Sequence, residues 1–471
     1  MRIGVDIDNV LSNFNDELLK EYIIHDKEIN GNGIINKNEI RKMFDWKDEE
    51  EKKFYKENIE RIVVNLKPIK NCAKYIRKLK KIGCEIYIIT GRDNGDYSDP
   101  YNMTVNWLKK YNIYYDKIIL VDAKNSHSKT EVCLENNISI MIDDSKRMCL
   151  DASNHGITTF IMDTPYNKDI DGLIRVHTWK EIFEKVKKYN SRINVILDTD
   201  TYNEADDQFA LSYLLKSQDM FNIEAITTAP YSHKNNGITV KEGQDLSYNE
   251  VLKICNLLNF NFENKVFKGS IDYIQNGYDD ENDAVNKIIE IALKNDMTYV
   301  FSIGAITNIA LAIKKEPKII NKIEIIWLGG NDLSYKDNME YNFRQDVEAV
   351  KIVFNSNVKL TVLPCKNVVS TLKIDINTLN NLIQNELNNY LIERFCNDGY
   401  HPYKEERVIW DISVIAYMIN KKWFKTKRVS TPVINDDTSY KMTNVKNKII
   451  FVTKLNRNKI YSDLFKKLGK R

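Results

Sequence analysis

The sequence lacks the features that mark several specialised classes of protein. It has no run of 18 apolar residues, which argues against a transmembrane helix. Its 69 basic and 66 acidic residues leave a formal net charge of +3, so charge gives no reason to expect a nucleic acid or a membrane as partner. None of the seven cysteines forms a CxxC pair and their number is odd, which favours a reduced, cytoplasmic protein. No signal peptide is expected, because the N-terminus already has the pattern of a strand.

The chain has 471 residues, 43% of them apolar, which predicts two or three globular domains. Strand and helix patterns alternate along it, which favours an α/β fold with two doubly wound, mainly parallel, Rossmann-like sheets. We expect one domain at 1–190, with a small helical cap at about 15–66, and a second at 193–471. Strands are predicted at 2–8, 85–90, 117–121, 139–144, 158–162, 194–200, 223–228, 298–303, 322–328 and 358–363.

Four aspartates cluster where the first strand of the second domain meets a helix. They are Asp198, Asp200, Asp206 and Asp207. Ligands of open α/β sheets bind at this position. A helix N-terminus supplies only about half a positive charge, so a bound divalent cation is the simplest way to hold four carboxylates together. Oxygen ligands suit Ca²⁺ or Mg²⁺. The alternative, a solvated acidic turn with capping residues, is favoured for a single aspartate but not for two pairs.

Polar residues also follow three predicted strands of the first domain. Four short motifs occur in order: Asp6-Ile7-Asp8, then Thr90, then Lys129, then Asp143-Asp144. This order resembles the haloacid dehalogenase superfamily over about 185 residues. The context of Lys129 and the segment Pro165-Tyr166-Asn167 look more like the 5′-nucleotidase-related branch than the dehalogenases.

The resemblance implies a role for each motif residue. Asp6 would attack phosphorus, and Asp8 would act as general acid and base. Thr90 and Lys129 would hold phosphate oxygens. The Mg²⁺ ligands would be Asp6, the Asp8 carbonyl and either Asp143 or Asp144.

Two assignments in this domain stay open. Lys124 is a rival to Lys129, although it also fits a surface lysine. Arg92 is either an additional phosphate contact or a surface charge.

The second domain resembles the inosine-uridine-type nucleoside hydrolases over almost its whole length. The matching stretches are the aspartate cluster, 302–310, 326–330, 340–343, 346–349 and 408–411. The resemblance implies that Ca²⁺ is held by Asp200, Asp207, Asp411 and the Ile303 carbonyl. It also implies that Asp200 is the general base on a water that attacks C1′ through an oxocarbenium-like state. The residues expected to bind substrate are Asp206, Glu340, Asn342 and Trp410.

Four features depart from that family's pattern, one of them a short loop from Gly330 to Glu340. Five residues separate the two aspartate pairs, where the family has three. Trp410 stands where many members have a histidine that protonates the leaving base. The stretch Thr228-Ala229-Pro230-Tyr231 lacks an active-site asparagine of the family. His233 or His401 could replace the missing acid, or each could be an exposed loop histidine.

The sequence therefore predicts a bifunctional hydrolase acting on small molecules. An Mg²⁺-dependent nucleotide phosphatase would precede a Ca²⁺-dependent hydrolase of the N-glycosidic bond of nucleosides. In an alternative, the second domain is a non-catalytic nucleoside- or ribose-binding module. In a third interpretation, the two domains act on unrelated substrates. The base, the sugar and the oligomeric state, a homo-oligomer included, stay open.

Overall fold

A computed structural model describes residues 1–36, 42–93, 95–125, 127–233, 236–382, 384–397 and 403–469. The chain divides into two compact units, Met1–Ser191 and Arg192–Arg471. All seven cysteines are free. No helix within these described ranges is long and apolar enough to cross a membrane.

A six-stranded sheet, parallel throughout, forms the centre of the N-terminal unit. Its spatial order is β3-β2-β1-β4-β5-β6, so the chain reverses its direction of growth between β1 and β4. Such a switch point leaves a crevice outside the carboxyl ends of the strands. The strands are β1 (Arg2–Val5), β2 (Glu85–Thr90), β3 (Lys117–Leu120), β4 (Ile140–Asp143), β5 (Thr158–Met162) and β6 (Ile174–Val176).

Apolar residues lie on both faces of this sheet. Ile86 and Ile88 of β2 belong to one buried cluster, and Tyr87 and Ile89 belong to another. Successive side chains of a strand point to opposite faces, so helices must cover both. The helices are α1 (Phe14–Glu28), α2 (Asp48–Asn65), α3 (Cys72–Lys81), α4 (Pro100–Lys110), α5 (Ser128–Glu135), α6 (Lys146–Asn154) and α7 (Trp179–Asn190).

The predicted cap region contains α1 and α2, which lie between β1 and β2 in the sequence. Tyr22 of α1 packs edge-on against Phe54 of α2, with ring centroids 5.1 Å apart. Trp46 packs on Tyr22 as well, at 4.9 Å. Both helices are therefore held by an aromatic cluster of their own.

The C-terminal unit contains an eight-stranded sheet in the order β15-β18-β12-β11-β10-β7-β8-β9. Only the pair β15–β18 within this sheet is antiparallel. Two antiparallel pairs, β13–β14 and β16–β17, lie outside it. The strands are β7 (Ile193–Thr199), β8 (Phe221–Thr228), β9 (Val266–Phe267), β10 (Thr298–Ser302), β11 (Ile323–Leu328), β12 (Lys359–Leu363), β13 (Lys373–Asp375), β14 (Glu406–Val408), β15 (Phe424–Ser430), β16 (Val433–Ile434), β17 (Tyr440–Lys441) and β18 (Lys448–Leu455).

This second sheet also has a core on each face. Val195 and Leu197 of β7 belong to one cluster, and Ile196 between them belongs to the other. The predicted α/β fold with two mainly parallel sheets is thus confirmed. The helices are α8 (Asp206–Leu215), α9 (Val240–Leu257), α10 (Asp283–Lys294), α11 (Thr307–Lys315), α12 (Tyr341–Gln345), α13 (Val347–Asn355), α14 (Ile376–Asn380), α15 (Glu386–Cys396), α16 (Ile412–Ile419) and α17 (Arg457–Leu468).

Candidate active sites

The first candidate site lies at the carboxyl ends of β2, β1 and β4. Asp6 directly follows β1, Thr90 ends β2 and Asp143 ends β4. Because neighbouring parallel strands end at the same edge, three residues far apart in sequence lie side by side here. The structure thus brings the first, second and fourth predicted motifs together.

Lys129, of the third predicted motif, is the counter-ion of this edge. Its Nζ lies 2.9 Å from Oδ1 of Asp6 and 2.6 Å from Oδ2 of Asp143. The lysine is buried, and a buried charge is tolerated only when it is paired. Lys124, the rival candidate, is exposed. The geometry therefore favours Lys129 over Lys124 as the lysine of this site.

Three carboxylates gather around Lys129. Oxygens of Asp6, Asp143 and Asp144 lie within 4.8 Å of one another. Burial raises the pKa of Asp6 to about 7, although Lys129 acts in the opposite direction. Burial, then Asp143 and Asp6, raise the pKa of Asp144, to which Asn9 Nδ2 donates at 2.9 Å. An all-oxygen donor set with excess negative charge fits a hard divalent cation.

Arg92 holds the second aspartate of the first motif. Its Nη2 donates to Oδ1 of Asp8 at 2.7 Å and its Nε to Oδ2 at 3.3 Å. Ser12 Oγ also donates to Asp8 Oδ1, at 3.3 Å. Only 2% of Arg92 is exposed, which excludes the alternative interpretation of Arg92 as a surface charge. Its Nη1 is buried and has no partner among the described residues.

The second candidate site forms where β7 ends and α8 begins. Asp206 and Asp207 are the first residues of α8, and Asp411 directly precedes α16. The two helices pack on each other. Their first turns therefore meet, and oxygens of the three aspartates lie within 4.8 Å of one another.

Hydrogen bonds hold this triple in place. The backbone N–H of Trp410 donates to Asp206 Oδ2 at 2.9 Å, and Thr199 Oγ1 donates to Asp207 Oδ1 at 2.8 Å. Burial raises the pKa of Asp206 to about 7. Burial and neighbouring carboxylates also raise the pKa values of Asp207 and Asp411. No basic side chain in the described part of the chain pairs with these aspartates, so their negative charge is not balanced by the protein. Their carboxylate oxygens are ligands that suit a divalent cation.

Asp200 lines the same cavity and is held by the segment that follows it. Asn203 donates from Nδ2 to Asp200 Oδ2 at 2.8 Å and from its backbone N–H to the Asp200 carbonyl at 2.9 Å. A Cβ at Gly304 would lie 2.8 Å from Asp200 Oδ1, so a glycine is needed there. Asn203 Oδ1 is buried and has no hydrogen-bond partner within the described part of the chain. No role was predicted for Asn203; the lengthened spacing between the aspartate pairs is the signal that could have indicated it.

Asp198, the first of the four aspartates, is not part of this cluster. It accepts from Thr227 Oγ1 at 2.7 Å and from Asn308 Nδ2 at 2.8 Å. Burial raises its pKa to about 6. These contacts tie β7, β8 and α11 together, so Asp198 supports the site from within the sheet.

The predicted sugar-binding residues also make internal contacts. Glu340 accepts from the backbone N–H groups of Gly330, Asn342 and Phe343 at 2.9–3.1 Å, which makes it the cap of α12. Asn342 Nδ2 donates to the carbonyl of Ile303 at 3.0 Å. The Ile303 carbonyl, a predicted metal ligand, thus lies next to Asn342, which is predicted to bind ribose.

These groups enclose a cavity of about 350 Å³. All four predicted substrate-binding residues and all four predicted metal ligands of this unit line it. The lining comprises Asp200, Asn203, Glu204, Asp206, Asp207, Ile303, Leu328, Asn331, Tyr335, Asp337, Met339, Glu340, Tyr341, Asn342, Cys365, Lys366, Trp410 and Asp411. A pocket of this size with convergent polar groups is suited to a small molecule.

Neither candidate histidine belongs to the described lining. His233 stacks on Tyr341 with ring centroids 6.0 Å apart, behind a lining residue. His401 lies outside the described residues. Trp410 does line the cavity, so an indole lies where the resemblance expects an imidazole.

Comparison with protein families matches each unit to a separate family. Residues 195–462, more than half of the chain, match the model described as inosine-uridine preferring nucleoside hydrolase. Residues 1–190 match the model described as 5′ nucleotidase, deoxy (pyrimidine), cytosolic type C protein. Both families consist of hydrolases, and both resemblances seen in the sequence are confirmed.

Individual relatives match about a third of the chain. The inosine-uridine preferring nucleoside hydrolase of Crithidia fasciculata is 25% identical over 169 residues, 33% of this chain and 52% of that protein. The pyrimidine-specific ribonucleoside hydrolase RihB of Escherichia coli is 28% identical over 175 residues, 34% of this chain and 54% of that protein. The chain thus spans about half the length of these relatives.

Solved structures are similar over 59% of the chain. A plant nucleoside hydrolase, the PpNRh1 enzyme, is matched over 100% of its length with 17% identity and a TM-score of 0.49. A purine-preferring ribonucleoside hydrolase from Gardnerella vaginalis is matched over 98% with 19% identity and a TM-score of 0.47. With residues 195–462 matched as a whole, the chain belongs to the inosine-uridine preferring nucleoside hydrolase family.

Proposed function

We propose that the chain is a bifunctional hydrolase that removes phosphate from a nucleotide in its N-terminal unit and the base from a nucleoside in its C-terminal unit. One observation supports this above others. Each unit gathers a separate cluster of three carboxylates that are buried or half-buried, and each cluster lies within a region that matches a hydrolase family.

In the N-terminal unit, Asp6 is the proposed nucleophile. Its carboxylate oxygen would form a bond to phosphorus as the bond to the leaving alkoxide breaks. Asp8 would give its proton to that alkoxide and later take one from the water that releases phosphate. Arg92 fixes the position of Asp8 for both transfers. Lys129 and the buried hydroxyl of Thr90 would hold phosphate oxygens.

In the C-terminal unit, Asp200 is the proposed general base. It would take a proton from the water that attacks C1′ as the bond from C1′ to the base breaks. Asn203 holds the carboxylate of Asp200 in the cavity. Asp206, Glu340 and Asn342 would contact the sugar, and Trp410 would pack against the base.

We assign a different cation to each of the two sites. Asp6, Asp143, Asp144 and the Asp8 carbonyl would hold Mg²⁺, which accepts few protein ligands and keeps water or phosphate in its shell. Asp200, Asp207, Asp411 and the Ile303 carbonyl would hold Ca²⁺, which accepts many oxygens. When bound, each ion offsets negative charge on the substrate or orients it.

We further propose that the steps are consecutive, with phosphate removed first. Carboxylates dominate the described lining of the C-terminal cavity. A 5′-phosphate adds close to two negative charges, so the cavity should reject a nucleotide and accept the nucleoside.

Trp410 supports one rival function. It replaces a proton donor by an indole, so the C-terminal unit would then bind a nucleoside or ribose without cleaving it.

An experiment on the full chain, supplied with Mg²⁺ and Ca²⁺ and with a panel of nucleoside monophosphates, distinguishes the bifunctional hydrolase from the binding module. We expect phosphate and nucleoside to appear first and free base afterwards in a chromatographic time course. Phosphate release with no base released from any nucleoside would support the binding module. Base released directly from the monophosphate would contradict the ordered scheme.

A further inference from the structure

A third cluster of side chains that can bind a metal lies in the N-terminal unit and shares no residue with the two candidate active sites. One ligand atom each of His127, Asp151 and His155 lies within 4.8 Å of the others. His127 directly precedes α5, Asp151 lies in α6 and His155 directly follows α6. Two of the three members are imidazoles, so the cluster differs in chemistry from the two clusters of carboxylates.

The carboxylate of Asp151 lies at the centre of this cluster. Its Oδ2 lies 2.7 Å from Nδ1 of His127 and also accepts a hydrogen bond from the hydroxyl of Thr130 in α5. Its Oδ1 lies 3.9 Å from Nδ1 of His155. No lysine or arginine in the described ranges forms an ion pair with Asp151. Its charge is therefore shared between two imidazoles, which leaves it attractive to a cation.

His155 is oriented in the way that is common among metal-binding histidines. Its Nδ1 donates to the Asp151 carbonyl at 2.8 Å, because a carbonyl oxygen can only accept. In a neutral imidazole, this hydrogen bond leaves the lone pair on Nε2 free to bind a metal. The rings of His155 and His127 lie 4.7 Å apart, centroid to centroid. The second imidazole is thus already beside the first.

The spacing of the cluster is close to what one metal ion requires. Nitrogen and oxygen ligands lie about 2.0–2.2 Å from Zn²⁺, so any two of them are within roughly 4 Å of each other. The three side chains are 26–44% exposed, so an ion can reach them from solvent and small rotations can close the remaining gap. Imidazole ligands suit Zn²⁺ and similar transition metals, whereas Mg²⁺ and Ca²⁺ prefer oxygen.

Another histidine and aspartate of this unit provide a natural comparison. Nδ1 of His177 lies 3.4 Å from Oδ2 of Asp163. Asp163 is also paired with Lys168 at 2.7 Å and with Arg175 at 2.8 Å. These two permanent positive charges repel a metal ion. His177 is therefore a matched control, an exposed histidine beside an aspartate that is not expected to bind metal.

We propose that His127, Asp151 and His155 form a binding site for a divalent transition metal of the Zn²⁺ type. The ion joins the start of α5 to the end of α6, and water completes its coordination shell. Lys129 lies in α5, two residues after His127. The bound ion thus holds the helix that carries the lysine of the N-terminal candidate site. The proposal does not depend on either proposed reaction.

The first test measures Zn²⁺ binding to the full chain, without an added histidine tag and with Mg²⁺ and Ca²⁺ in excess, in competition with a chromophoric chelator. His127→Gln and His155→Gln should each bind one Zn²⁺ fewer than the wild type, with affinity at this site reduced more than about 100-fold. Thr130→Val, which removes only the contact that orients the carboxylate, should weaken binding about tenfold. His177→Gln should bind as many Zn²⁺ ions as the wild type.

The second test locates the ion in the wild-type chain and does not rely on the folding of any variant. Diethyl pyrocarbonate modifies accessible imidazoles, and mass spectrometry follows each histidine separately. Zn²⁺ at about ten times its Kd should slow the modification of His127 and His155 about tenfold, because a bound imidazole cannot react. The rate at His177 should not change.

Two outcomes would overturn the proposal. One is that the wild type and His155→Gln bind the same number of Zn²⁺ ions with the same affinity. The other is that Zn²⁺ protects His177 as strongly as it protects His127 and His155, which would show unspecific binding to surface histidines. Loss of one bound ion in both variants of the cluster, with protection confined to its two imidazoles, would establish the site.

Discussion

Both units collect carboxylates at the end of a parallel sheet, but they compensate the charge differently. In the N-terminal unit, Lys129 lies between Asp6 and Asp143, and Arg92 forms a bidentate pair with Asp8. In the C-terminal unit, no basic side chain in the described ranges pairs with the cluster that contains Asp206. The first site thus has basic side chains of its own, whereas the second, under the proposed function, would need a bound cation.

The difference predicts where each unit is vulnerable. Removing Lys129 leaves buried charges unpaired, so the N-terminal unit depends on a side chain. Without metal, the C-terminal cluster holds protons more readily, because burial and then the charge of Glu204 raise the pKa of Asp206 to about 7. Mutation should therefore disrupt the first site most, and metal removal the second.

The largest effect should come from Asp6→Asn, which removes the proposed nucleophile. We expect phosphate release to fall about 10³-fold or more, because an amide cannot form the acyl phosphate. Base release from a free nucleoside should not change. Asp200→Asn should show the reverse pattern and accumulate nucleoside from the monophosphate. Both products, followed by chromatography, test whether the sites are independent. Undiminished phosphate release by Asp6→Asn would exclude Asp6 as nucleophile.

The variant Lys129→Met tests whether Lys129 compensates the negative charge of Asp6 and Asp143. Leaving Asp6 and Asp143 unpaired should lower the free energy of unfolding by about 3 kcal/mol in urea denaturation at pH 7.5 without Mg²⁺. Lys124→Met, at an exposed lysine five residues earlier, should change it by less than about 0.5 kcal/mol. Equal effects of the two substitutions would show that Lys129 does not compensate the cluster.

Arg92→Lys tests the bidentate pair with Asp8. A lysine keeps the charge but cannot reproduce both hydrogen bonds, so phosphate release should fall about tenfold through kcat, with little change in KM. Arg77→Lys, at an arginine whose hydrogen bond to the Asn112 carbonyl is exposed, is the control. A rise in KM alone would instead assign Arg92 to phosphate binding.

The smallest effect concerns pH and the C-terminal cluster. Because the folded-state pKa of Asp206 lies above its ordinary value, the folded protein binds protons more tightly than the unfolded chain. In EGTA, the stability of this unit should thus be highest near pH 4 and fall as pH rises towards 7. Asp206→Asn should reduce that fall by about 1 kcal/mol in thermal denaturation series. If the stability of the wild-type unit instead rose with pH over the same range, the raised pKa of Asp206 in the folded protein would be contradicted.

Much of the fold could be predicted from the sequence because buried parallel strands form apolar runs. All ten predicted strands are present, with ends shifted by a few residues. The edge pair β15–β18 was not predicted. In β15, Lys425, Lys427 and Arg428 face solvent, and such an edge strand lacks the apolar pattern that identified the others.

The candidate sites were predictable as far as each residue belongs to a strand end or a helix start. Contacts between distant segments were not. Nothing in the local sequence shows that Arg92 reaches Asp8, or that Asn203 turns back to Asp200. Glu340 illustrates the converse, since its motif suggested a sugar contact while its carboxylate also caps α12. A motif identifies the residue, and the packing determines which of its atoms are engaged.

The central claim, that the C-terminal cluster depends on a bound cation, can be tested by hydrogen exchange mass spectrometry of the full chain at pH 7.5. Ca²⁺ in excess over EGTA should slow amide exchange around the β7–α8 junction and the start of α16 by about tenfold or more. Mg²⁺ should change exchange at the ends of β1 and β4 much less, because Lys129 already pairs there. Exchange around Asp207 and Asp411 that does not respond to Ca²⁺ would contradict the claim.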